Sequence, residues 1–144
     1  MKKSAKKLLT IFVVLICVMG SVLPVNAAVL VEPSIKPLYV GTTSVTCNLS
    51  ISESGKATCS TQVRLKSGYT AEETLKLQRS VSGSSWSLVK SWSTSVTSSA
   101  LTLFSKSQSV SHGYYYRVQV ILKVYDSSGH LAETITKTTS SIHY

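Results

Sequence analysis

Tyr114-Tyr115-Tyr116-Arg117-Val118-Gln119-Val120-Ile121-Leu122-Lys123 decides the fold. Tyr114, Tyr116, Val118, Val120 and Leu122 fall on one side of an extended chain, and Tyr115, Arg117, Gln119 and Lys123 on the other. Successive side chains of a strand point to opposite faces, so this period of two marks a strand with one face in a core and one toward solvent. Ile121 is the apolar exception on the outer side.

Working outward, the same period recurs. Val45, Cys47, Leu49 and Ile51 alternate with polar residues, as do Ala57, Cys59, Thr61, Val63 and Leu65. Ser52-Glu53-Ser54-Gly55-Lys56 supplies a hairpin turn between them, with Gly55 able to take positive φ. Further strands are expected at Thr74–Arg79, Trp86–Trp92, Ala100–Phe104, Tyr114–Tyr125 and Leu131–Thr138. Ser93–Ser99 and Ser105–Ser111 read as polar connections. No convincing helical period follows residue 27. The expected architecture is all-β: a seven-stranded antiparallel β-sandwich over residues 44–144.

The first residues carry an export tag. Met1–Lys7 holds four lysines, Leu8–Met19 is apolar apart from Thr10, and Val25-Asn26-Ala27 ends in a small residue after Gly20 and Pro24. That order is a signal peptide over residues 1–27; the rival, a retained anchor, has an apolar stretch close to the length of a spanning helix. Residues 28–43, with Pro33, Pro37 and Gly41, form an extended lead-in along a sheet edge. Cleavage leaves 117 residues with 11 basic and 6 acidic side chains, a net charge of +5. The protein is therefore expected to be secreted, with no membrane span after cleavage. Its charge favours weak attraction to anionic wall polymers, but scattered cations without a basic stripe argue against nucleic acid.

Cleavage also removes Cys17 and leaves Cys47 and Cys59, for which a disulfide is the default in an oxidising compartment. If Glu53 centres the hairpin turn, the two cysteines face each other within bonding reach, and closing the loop contributes about 3 kcal/mol in the chain-entropy model. A two-residue slip, with Gly55 in a bulge, would instead separate the sulfurs. No metal site or cofactor is expected, because the cysteines have no further Cys or His at ligand spacing.

At Val110-Ser111-His112-Gly113-Tyr114-Tyr115-Tyr116-Arg117-Val118-Gln119-Val120 the chain resembles the corner before strand F of fibronectin type III and other immunoglobulin-like domains. The resemblance implies an immunoglobulin-like sandwich in which Tyr116 is the structural corner, its ring buried and its hydroxyl bonded to nearby backbone; Tyr114 competes for the role. It departs from that family in lacking an evident Trp on the second strand. Leu49–Cys59, Leu77-Gln78-Arg79, Trp86–Trp92 and Gly113–Val118 also resemble a group of small, uncharacterised exported proteins of Gram-positive, chiefly clostridial, bacteria. That likeness implies compartment and fold without supplying an activity.

Chemistry is sparse. Glu72, Glu73, Asp126 and His130 are expected at one end of the sandwich, where a metal or acid/base site is the enzymatic reading and solvated loop charge the plainer one. His112 and His130 flank a strand whose length holds them roughly 40 Å apart. There is no Gly-x-Ser-x-Gly, Ser-x-x-Lys or His-Glu-x-x-His, so no catalytic residue is assigned. Asn48-Leu49-Ser50 is a glycosylation sequon only on a eukaryotic route.

Trp86, Trp92, Tyr115 and Tyr125 are the possible ligand-contacting aromatics, with core packing the plainer reading for Trp86 and Trp92. Strict alternation would put Trp86, Leu88, Lys90 and Trp92 on one face, a lysine among core candidates; a bulge near Val89 would release one Trp outward. The expected function is that of a non-enzymatic, exported interaction module for a protein or glycan at the cell surface. The alternatives are a glycan-binding module, requiring two aromatics projecting together on an exposed sheet, and a small hydrolase or metal-dependent enzyme.

Overall fold

The computed structural model describes residues 39–97 and 99–144. The expected signal peptide, Cys17 and most of the lead-in lie outside the described residues. Eight strands are present: β1 (Thr42–Ile51), β2 (Lys56–Leu65), β3 (Thr70–Ser80), β4 (Ser87–Val96), β5 (Thr102–Ser109), β6 (Tyr115–Tyr125), β7 (Leu131–Thr138) and β8 (Ile142–His143). This corrects the expected seven: the short β8 adds to β6, pairing Tyr115 with His143 and Tyr116 with Ile142. Thr42 and Thr43, assigned to the lead-in from sequence, already belong to β1.

The strands form two antiparallel sheets, one ordered β1-β2-β5 and the other β4-β3-β6-β7 with β8 also on β6. Between them lies one core. Val45, Ala57, Cys59, Val63 and Leu65 come from the first sheet, and Ala71, Leu75, Leu77, Val96, Tyr116, Val118, Val120, Leu122, Val124 and Ile135 from the second. From Val45 onward the odd-numbered residues of β1, the odd-numbered residues of β2 and the even-numbered residues of β6 face inward, as alternation requires, while a register shift between Thr42 and Ser44 buries Thr42 instead of Thr43. Each fully buried Leu or Val contributes about 1.5–3 kcal/mol relative to exposure, so these columns hold the sheets together.

The β1–β2 turn sets the hairpin register. Gly55 N–H donates to Ser52 O at 2.9 Å, Ser52 N–H donates to Lys56 O at 3.1 Å, and Gly55 sits at φ 75°. A left-handed residue after a tight turn adds one position to the loop, so the hairpin centres on Ser54 rather than Glu53. A side chain there would be strained, and a Cβ on Gly55 would lie 2.9 Å from Val110 O. The consequence is a two-residue slip: Cys47 faces Thr61 and Cys59 faces Leu49. Both thiols are free, which corrects the expected Cys47–Cys59 disulfide. Diagonal neighbours on such a pair stand about 7–8 Å apart, beyond normal bonding geometry.

Chain direction sorts the connections. The β1–β2 and β3–β4 turns, the β5–β6 connection and β8 share one end, while the β2–β3, β4–β5 and β6–β7 connections share the other.

Candidate functional site

Residues of β4 reach opposite faces because the strand is bulged. Leu77 pairs with Lys90 and Gln78 with Leu88, leaving Val89 without a cross-strand partner. On the C-terminal side of the bulge Trp92 pairs with Leu75, and its half-buried ring packs against the core. Lys90 shares that inner register but stays exposed, because β4 is an edge strand. An inward-pointing charge on an edge discourages pairing with another chain. On the N-terminal side the parity is reversed, and Leu88 lies outside, 57% exposed.

Trp86, just before β4, follows that reversed parity. Its half-buried indole lies beneath the Arg117 guanidinium, 4.1 Å from the ring centroid. Arg117 belongs to the outward set of β6, and its Nε–H donates to Gln78 Oε1 at 2.8 Å, which fixes the guanidinium over the indole. Such a stack contributes roughly 0.5–1 kcal/mol at an exposed position. On the same outer surface Tyr115 meets its cross-strand partner His143, ring centroids 4.5 Å apart. Trp86, Arg117, Tyr115 and His143 thus form a patch on one end of the larger sheet, combining flat apolar faces with hydrogen-bond donors.

Around the rim of this end the aromatic contacts continue. Tyr116 is buried, donates its hydroxyl hydrogen to Ser111 O at 2.8 Å and accepts Ser111 N–H at 3.2 Å. Tyr144 stacks on His112 at 3.9 Å and donates its hydroxyl hydrogen to Glu53 O. Arg79 lies over Tyr114, 4.9 Å from the ring centroid. Beside that pair is a solvent-open cavity of about 370 Å³ lined by Arg79, Ser80, Val81, Ser82, Ser85, Ser87 and Tyr114.

The remaining aromatic, Tyr125, is at the opposite end. Its hydroxyl donates to Glu72 Oε2 at 3.1 Å beside a cavity of about 400 Å³. The acidic residues of this end do not converge. Glu72 points outward to Tyr125, whereas Glu73 points into the core, where it accepts the hydroxyl hydrogen of Thr61. Asp126 accepts the amide hydrogens of Ser128 and His130 within its own turn, and His130 is 81% exposed. Among the described residues, no group of three or more His, Cys, Asp or Glu side chains is placed to hold a metal ion.

Of the four aromatics singled out from sequence, the structure therefore places Trp86 and Tyr115 on one surface, Trp92 against the core and Tyr125 at the far end. Arg117 and His143 were missed as site residues. The visible signal for Arg117 was its place between Tyr115 and Gln119 on the polar side of the clearest strand. His143 gave none, because a two-residue strand has no periodicity. No protein-family model matches the chain, and no curated protein matches it significantly.

Proposed function

We propose that this chain is an exported, non-enzymatic β-sandwich of immunoglobulin-like type that acts as an interaction module at the cell surface. Its contact surface is the Trp86–Arg117–Tyr115–His143 patch. The strand order supports the fold assignment. Strands one, two and five share a sheet, strands three, six and seven share the other, and strand four lies beside strand three, the arrangement of fibronectin type III domains. Tyr116 supports it too, with a buried ring and a hydroxyl returned to the backbone five residues upstream.

One observation carries the functional reading: Trp86 and Tyr115 lie on the same outer surface with Arg117 over the indole. Trp92, by contrast, packs against the core on the inner face. A guanidinium fixed over one aromatic face beside a second aromatic pair offers stacking and directed hydrogen bonds together, which is what ordered recognition of a saccharide or peptide uses. The same feature favours a glycan over a protein as the second, narrower reading, since sugar rings present an apolar CH face beside hydroxyls. Retention of the residue 28–144 domain on purified cell-wall glycans tests this. The expected result is retention that Trp86→Ala and Tyr115→Ala each reduce at least fivefold. Undiminished retention in both variants contradicts the assigned surface.

A further inference from the structure

The cavity under the β3–β4 turn is separate from the outer patch, and its lining is chemically specific. Arg79 supplies the cation, Ser80, Ser82, Ser85 and Ser87 supply hydroxyls, and Val81 and Tyr114 supply apolar walls. We propose that this cavity binds the carboxylate of an acidic sugar, with Arg79 as its anchor. The proposal deepens the binding-module reading and rests on it.

Three features point to that ligand class. First, the guanidinium is oriented against the Tyr114 ring, which is itself braced edge-on against buried Tyr116 at 6.3 Å. An oriented guanidinium presents paired N–H groups that match a planar carboxylate. Second, among the described residues Arg79 forms no ion pair, so its charge is available. One cation matches one negative charge, as on a uronic acid.

Third, side-chain carboxylates are few at this end. Of the described side-chain carboxylates, Glu72, Asp126 and Glu133 sit toward the opposite end and Glu73 is in the core. Glu53, in the β1–β2 turn, is the one at this end. Arg117 stands across the turn on the outer sheet surface. The serines complete the match. Ser80 Oγ accepts Gly83 N–H at 2.9 Å and Ser82 Oγ lies 2.7 Å from Ser84 Oγ, which fixes the turn, while Ser85 and Ser87 present hydroxyls suited to sugar hydroxyls. A volume of about 370 Å³ falls at the small end of the ligand-pocket range of roughly 300–1,000 Å³.

The test is an NMR titration of the residue 28–144 domain with glucuronic acid, glucose and inorganic phosphate, following the amides of Gly83, Ser85 and Ser87. Glucuronic acid is expected to give saturable shifts at these amides, with at least tenfold weaker binding by glucose and by phosphate. Arg79→Gln should weaken glucuronic acid at least tenfold, and Arg79→Lys less. If Arg79→Gln does not fold, a Ser85→Ala/Ser87→Ala variant should weaken glucuronic acid at least threefold. Equal binding of glucose, preference for phosphate, absence of shifts with glucuronic acid, or indifference to these substitutions overturns the proposal. The loss of wall-glycan retention in Trp86→Ala reports on the outer patch and the glucuronic acid titration reports on the cavity, so a failure of one is distinguishable from a failure of the other.

Discussion

Thr61 on β2 donates its hydroxyl hydrogen to Glu73 on β3, a polar contact across the interior between the two sheets. Glu73 is 1% exposed, its second oxygen has no partner, and its cross-strand neighbours are Thr94 and Leu122, neither of them a cation. Burial pushes its carboxyl above the ordinary value of 4.5, partly offset by the Thr61 bond.

A carboxyl raised in the folded state stabilises the fold fully below its unfolded pKa, and that contribution is lost as pH rises through the folded value. Thermal melts should therefore show Tm falling as pH rises from 4.5. Glu73→Gln should raise stability at pH 7 by about 1–3 kcal/mol and flatten the dependence. Equal pH profiles for the two proteins contradict this.

Tyr116→Phe keeps the buried ring and removes both hydrogen bonds to Ser111. Chemical denaturation should show a loss of about 1–2 kcal/mol with an unchanged m-value, since Ser111 is exposed and water replaces part of the contact. A neutral substitution would show that the hydroxyl does not pin the corner.

Both thiols should resist alkylation in the native state. Burial raises the Cys59 thiol to about 11 and also raises Cys47, so little thiolate is present near neutrality. The native residue 28–144 domain should react slowly with iodoacetamide, and the denatured domain should gain two adducts, at Cys47 and Cys59. Denatured, unreduced protein that gains none would establish a disulfide and a hairpin register different from the one described.

How far the sequence reached depended on whether a strand's pattern was local. β6 and the inward faces of β1 and β2 were legible because period two survives any register. The hairpin register was not, because it depends on whether Gly55 enters the left-handed region and lengthens the loop by one. β3 begins four residues before its expected start, since a carboxylate at Glu73 interrupts an otherwise apolar column. β5 runs on to Ser109 through residues that composition assigns to a loop; its pairing with β2 stabilises them. At the candidate site, the Val89 bulge was foreseeable from Lys90 falling among core positions. Which tryptophan it would turn outward required the register with β3.

The most direct measurement uses the Trp92→Phe variant, in which Trp86 is the only indole. Binding through the outer patch predicts that cell-wall glycans shift its emission and protect it from acrylamide quenching in a saturable way, and that Arg117→Ala reduces the response. Unchanged emission and quenching at glycan concentrations that retain the domain on a column would contradict the assignment of function to this surface.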